Sequence, residues 1–249
     1  MLLLRPQLGQ QGVDLPERMN VDNILDRAGR FRGEIFEPES VLYKRLVSDG
    51  QSPKALMISC ADSRVVPEHI TQAGPGELFV CRNAGNIVPP FATQNGGVSS
   101  TVEYAVVVLK VRDIVVCGHS DCGAMKAFLN PESLAAVPNV AAWLRHAHAA
   151  ECAVNAAYPH LEDKDKAHAL AMENVIVQIQ HLRTHPSVAA AMARGDLTLH
   201  GWFFEIESGE IYALDGQSGT FAVVDGDKPL PVAVAPREAK PQLRWANAR

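Results

Sequence analysis

The stretch DIVVCGHSDCGAMK, residues 113–126, passes from an apolar run through a polar turn into helical sequence. Ile114 to Cys117 has the length and composition of a buried strand. After Gly123 a short helix is predicted, which Asn130-Pro131 stops. A strand, a turn and a helix make half a crossover unit, and the alternation recurs upstream. KALMIS (54–59) is a short apolar run ending at Cys60, hence a buried strand. PEHITQ (67–72) opens a short helix with Pro first, and ELFVCR (77–82) reads as a second strand after the turn GPG. GGVSSTVEYAVVVLK (96–110) suits a long, mostly buried helix leading into the strand at 113–118. Strands separated by helices predict an α/β fold with a mostly parallel central sheet and flanking helices.

Outward from this core, VDNILDRAGRF (21–31) and SVLYKRLVSDG (40–50) carry apolar residues at helical spacing and predict an N-terminal helical arm over 20–50. Ala-rich helical stretches follow at 139–156 and 163–184, with Pro159 between them, and PSVAAAMARG (186–195) is a further helix. TLHGWFFEI (198–206) and EIYALD (210–215), joined through Glu-Ser-Gly, predict a C-terminal edge hairpin. The organisation expected is a single domain over 1–249, with the arm at 20–50, the core at 51–215 and a C-terminal tail at 216–249, rich in Pro and charge after 225.

With 47% apolar and 20% charged residues the chain has the balance of a soluble globular protein. The net charge of −5, with no basic cluster, argues against a nucleic-acid partner. Runs such as AVVVL (105–109) are far too short to span a bilayer, so no membrane association is expected. The start, MLLLRPQLGQQ, breaks at Arg5 and Pro6, short of the roughly 7–15 apolar residues of a secretory signal. The cysteines are 60, 81, 117, 122 and 152. An odd number without a signal points to a reducing compartment, where grouped Cys and His imply metal or catalysis rather than disulfides. A cytoplasmic location is expected.

His119 and Cys122 by themselves fit a metal clamp or a buried His beside a buried Cys, since free Cys is among the most buried residue types. In open parallel sheets, chemistry gathers at the carboxyl ends of strands, so Cys60 can reach the same point as His119. Two Cys and one His make a soft, tetrahedral site suited to zinc, with one position left for water. In CADSR (60–64), an extended chain points Asp62 and Arg64 to one side. Asp62 can be the fourth ligand of a closed site, or it can accept a hydrogen bond from bound water at an open one. A guanidinium that grips the carboxylate through two parallel hydrogen bonds favours the second. The plain alternative is a loop ion pair, worth about 0–1 kcal/mol at a surface.

The segments SCADSRVVPE (59–68), PGELFVCRNAGNIVPP (75–90), VEYAVVVLKV (102–111), CGHSDCGA (117–124) and LHGWFFEIESGEI (199–211) closely resemble β-class carbonic anhydrases. The likeness runs in matching order over roughly 40–215, and the overall run looks most like the bacterial subgroup associated with cyanate metabolism. The resemblance implies one zinc per subunit, held by Cys60, His119 and Cys122, and reversible hydration of carbon dioxide to bicarbonate by zinc-bound hydroxide. It implies that Asp62 and Arg64 orient the hydroxide, with Asp62 as a fourth ligand in a closed state. Gln51 matches a family glutamine that hydrogen-bonds substrate or bicarbonate, and the N–H of Gly123 could steady charge on a substrate oxygen. Phe79 and Tyr104 fall where the family places an apolar wall contributed by a neighbouring subunit, so a homodimer or tetramer is implied. On the residues alone, Gln51 is a polar loop residue and the two aromatics belong to a core. Ala84 stands where plant members carry valine, which implies a slightly roomier pocket.

Two thiolates cancel the zinc charge in a way that neutral histidines do not, so activity is expected to rise through the alkaline range. Some members have a bicarbonate switch built on a tryptophan three positions before the first cysteine and a tyrosine two after the HGW tryptophan. Those positions are Met57 and Phe204 here, and no such site is expected. The nearest alternative is a carbonyl sulfide or carbon disulfide hydrolase on the same scaffold. A structural zinc site closed by Asp62 is another, and a redox protein using vicinal thiols is a third, against which the sequence has no C-x-x-C. Cys81 and Cys117 read as inert core thiols, Cys152 has no visible partner, and His146 and His148 point to different helix faces. His200 is expected to be structural.

Overall fold

The computed structural model describes residues 21–92, 96–226 and 230–235, in two units that divide after Gly50. In the first, helix α1 (Val21–Phe31) runs through a π-helical turn (Arg32–Phe36) into α2 (Glu37–Ser48). Arg30 pairs with Asp26 and Glu34, one turn to either side, and Tyr43 packs against Phe31 and Phe36. None of its helical residues is buried.

The second unit runs β1 (Ala55–Cys60), α3 (Pro67–Thr71), β2 (Leu78–Asn83), α4 (Gly97–Glu103), β3 (Asp113–His119), α5 (Gly123–Leu129), α6 (Pro138–Leu144), α7 (His148–Ala157), α8 (Asp163–Leu182), α9 (Pro186–Arg194), β4 (Thr198–Phe204), β5 (Ile211–Asp215) and β6 (Thr220–Val223). The sheet has the order β2-β1-β3-β4-β5-β6. Its first four strands are parallel, and β5 and β6 turn antiparallel at one edge. The α/β architecture and the edge hairpin are those expected from the sequence. The hairpin extends into a sixth strand within the segment read as tail, where β6 offers only four residues, mostly exposed. Val234 adds an antiparallel bridge to Leu199.

β1 and β3 are buried along almost their whole length because both faces of the sheet are covered, which is why they read as unbroken apolar runs. On one face, Leu56, Ile58, Ile114, Val116 and Leu199 pack with Val175, Ile179 and Leu182 of α8 and Val188 of α9. On the other, Met57, Val115 and Cys117 meet Leu78, Trp202 and Phe204. Two glycines let α8 lie directly on the strands. A Cβ at Gly118 would come within 2.7 Å of Val175 Cγ2, and one at Gly201 within 2.9 Å of Ile179 Cδ1.

The helix expected over 96–110 differs in the structure. α4 stops at Glu103 and a wider π-helical turn, Tyr104–Val108, carries the chain on. Five apolar residues in a row cannot all face one core, and Tyr104, Val107 and Val108 are exposed. The stretch 139–156 is likewise two helices, because a 3-10 turn at Arg145–Ala147 interrupts it.

Candidate metal centre

The chain leaves β1 toward β2 on one side and leaves β3 toward β4 on the other, so the gap between the carboxyl ends of β1 and β3 is the switch point where such sheets bind ligands. Ser59 pairs with Cys117, which sets Cys60 and His119 at neighbouring strand ends. Asp121 then takes a left-handed turn (φ 59°), a conformation Asp tolerates better than most residues, and delivers Cys122 to the start of α5. The ligand atoms of Cys60, His119 and Cys122 lie within 4.8 Å of one another, and all three residues are buried.

These residues fit a metal on their own evidence. The Nδ1–H of His119 donates to the Ser120 carbonyl at 2.8 Å, so Nε2 presents a lone pair. That Nε2 is buried with no hydrogen-bond partner, an omission that ordinarily costs about 1–3 kcal/mol. The hydrogen bond from Cys122 drives the Cys60 thiol toward thiolate, while the same contact and burial push Cys122 up. Two sulfurs thus compete for one proton beside an unpartnered nitrogen, and a soft divalent cation satisfies all three. The backbone N–H of Gly85 also points at Cys60 Sγ, 3.4 Å away.

Beside this cluster Arg64 grips Asp62 at both oxygens, Nε to Oδ1 at 3.0 Å and Nη2 to Oδ2 at 2.8 Å. The guanidinium holds the Asp62 carboxyl well below the usual carboxylate range. A second acid, Asp121, takes Nη1 of Arg64 at 2.8 Å and is itself paired with Lys126. Those two cations, Lys126 foremost, lower Asp121 to about 2. Arg82 ties down the loop that carries Asp62, donating to the carbonyls of Cys60 (3.1 Å) and Asp62 (2.7 Å). The segment that brings Gly85 to Cys60 is pinned from outside. Trp143 Nε1 donates to the Ala84 carbonyl and Asn174 Nδ2 to that of Gly85, both at 2.9 Å.

A family model described as carbonic anhydrase matches residues 55–211. The chain is 55% identical over 199 residues to a carbonic anhydrase of Pseudomonas aeruginosa, covering 80% of this chain and 90% of that protein. The structure of the β-carbonic anhydrase CcaA is 42% identical, with a TM-score of 0.80 over 86% of this chain and 94% of its own. A structure from a study of two tetrameric β-carbonic anhydrases of Sordaria macrospora is 29% identical, with a TM-score of 0.69 over 81% and 98%. The chain belongs to the β-carbonic anhydrase family. Its reaction is the reversible hydration of carbon dioxide, and the comparisons lend the sulfur-substrate alternative no support.

In this carbonic anhydrase the structure gathers Cys60, His119, Cys122, Asp62 and Arg64 at one end of the sheet, with Gly123 directly after the last cysteine. It does not bring the other expected residues there within one chain. Phe79 pairs with Leu56, four positions before the partners Cys60 and Asn83, or about 13 Å along the strand. Tyr104 stacks on Phe79, ring centroids 5.9 Å apart. Gln51 is exposed and precedes β1, whereas Cys60 ends it. Sequence reasoning passed over Asp121, Lys126, Arg82 and Asn174. Only Asp121 carried a signal, as an acid between two ligand positions.

Burial pushes the Cys117 thiol up to about 12 and raises Cys81, as expected of core thiols. His200 is structural in effect, its Nε2 lying 2.8 Å from Asp113 Oδ1. Cys152 differs from its reading, because His148, one turn earlier, lies 3.5 Å from its sulfur.

Proposed function

We propose that Cys60, His119 and Cys122 hold one zinc ion per subunit and that Asp62 stays off it, leaving the fourth position for substrate chemistry. The observation that carries this reading is the two-point grip of Arg64 on Asp62 beside a three-donor cluster whose His119 Nε2 has no other partner. When bound, zinc lowers the pKa of water enough to supply a nucleophile for the carbon of CO2. Asp62, kept ionised by Arg64, accepts a hydrogen bond from the attacking water and aims its free lone pair at the substrate. The N–H of Gly123 stands next to Cys122, where it can meet charge growing on a substrate oxygen.

Gln51, Phe79 and Tyr104 complete the pocket from a neighbouring subunit. Their distance from the cysteines of their own chain supports this, as does the exposure of Tyr104. The assembly is a dimer or tetramer; apolar residues exposed along the arm, Ile24, Leu25 and Ile35 among them, and the tetrameric relatives support it. We read the arm and the core as parts of one domain. No helix among the described residues is long and apolar enough to cross a membrane, and we place the enzyme in the cytoplasm, without a nucleic-acid partner. Likeness to the cyanate-associated subgroup supports a role in supplying bicarbonate to cyanate decomposition. Met57 and Phe204 sit in one apolar cluster, which supports the absence of a regulatory bicarbonate site.

The test is stopped-flow CO2 hydration from pH 6 to 9 on protein of known zinc content, for wild type and Asp62→Ala. Wild type should be fast, with a rate that rises with pH. Asp62→Ala should keep its zinc and lose most turnover. A variant that loses zinc and stability together would instead make Asp62 a structural ligand.

A further inference from the structure

Of the five cysteines, Cys60, Cys117 and Cys122 are buried, Cys81 is half-buried, and Cys152 alone is exposed. It stands one turn after His148, the first residue of α7, with Glu151 three positions after that histidine. Residues three and four apart are neighbours on a helix, so the His148 side chain meets both of the others. The Nδ1 of His148 lies 2.8 Å from Glu151 Oε2, and its Nε2 lies 3.5 Å from Cys152 Sγ. A carboxylate only accepts, so Nδ1 carries the proton and Nε2 turns a lone pair toward the thiol. A nucleophile, a base within reach and a third group that orients the base are the parts an activated thiol needs. The Cys152 sulfur is reached from solvent, because the residue is exposed.

We propose that Cys152, His148 and Glu151 form a surface thiol-exchange site that takes up small disulfides, apart from the metal centre. His148 accepts the Cys152 proton, and the thiolate attacks one sulfur of the disulfide. The reagent's S–S bond breaks as a new one forms to Cys152. The other half leaves as a thiolate and collects the proton from His148. Cys152 is oxidised and the disulfide reduced, with no net change in protons. An unassisted thiol is only a few per cent thiolate at pH 7, so a base that takes the proton raises the rate several-fold.

The experiment measures the release of nitrothiobenzoate from 5,5′-dithiobis(2-nitrobenzoate) at pH 7 by the full-length, zinc-loaded protein. Intact mass after glutathione disulfide counts the adducts, and peptide mapping places them. One thiol should react in a fast phase that Cys152→Ser removes. His148→Gln should slow that phase about fivefold or more, and Glu151→Gln should slow it by less. Far-ultraviolet circular dichroism and CO2 turnover check that each variant is folded. A fast phase that survives Cys152→Ser would overturn the proposal. So would a Cys152 rate unchanged in His148→Gln, or one no faster than that of the chain unfolded in guanidinium.

Discussion

Replacing Gly118 with alanine puts a methyl group where α8 rests on β3, one residue before His119. The new Cβ would lie 2.7 Å from Val175 Cγ2, 3.2 Å from the Ala171 carbonyl oxygen and 3.5 Å from Phe203 Cδ2. Gly118 has no positive φ, so alanine suits its backbone and by itself would stabilise by about 0.4–1 kcal/mol. Packing therefore sets the sign. Val175 is fully buried and β-branched, so in a helix it has one comfortable χ1, and the Ala171 oxygen belongs to the backbone of α8. Neither can turn aside, and α8 must lift by several tenths of an ångström. Overpacking of this kind costs about 1–3 kcal/mol, and the rigidity of both neighbours places Gly118→Ala in the upper half of that range. For a chain of this size each kcal/mol moves Tm by about 2–4 °C, so a fall of roughly 4–12 °C is expected for the zinc-loaded protein by calorimetry. A double-mutant cycle with Val175→Ala isolates the clash. That change alone should cost about 2 kcal/mol, and the double mutant should lose at least about 1 kcal/mol less than the sum of the two single losses. A Tm within a degree of wild type, or strict additivity in the cycle, would refute the packing argument.

Asp121→Asn removes the second charge that holds Arg64, and we expect full zinc content with CO2 turnover at neutral pH lowered several-fold; unchanged turnover would sink the link between Asp121 and Asp62. The same variant should show a shallower loss of stability in acid. Asp121 is lowered to about 2, so its contribution is complete above the ordinary carboxylate pKa of about 4 and disappears as pH falls toward 2. At fixed pH, added bicarbonate should inhibit only as a product does, because Met57 and Phe204 close an apolar cluster. A cooperative loss of turnover with bicarbonate would show that another route to regulation exists.

Much of this protein is written in local sequence. An unbroken apolar run such as Ala55–Ile58 or Ile114–Cys117 signals a strand covered on both faces, and the Pro and Gly residues around the runs mark where helices begin and end. The three donors of the candidate metal centre could be brought together from sequence for a related reason: Cys60, His119 and Cys122 end strands or open a helix, and parallel topology sends such ends to one place. Tertiary structure alone decided which partners these groups take. Asp121 reaches Arg64 and Asn174 reaches Gly85 across long stretches of chain, with no periodicity to announce either. Distance also separates Phe79 and Tyr104 from the cysteines of their own chain, where the resemblance had implied a wall contributed by a neighbouring subunit. Local sequence encodes which face of an element is buried. Hydrogen bonds and charge pairs depend on where elements meet, and only the packed sheet and the seating of α8 on its glycines settle that.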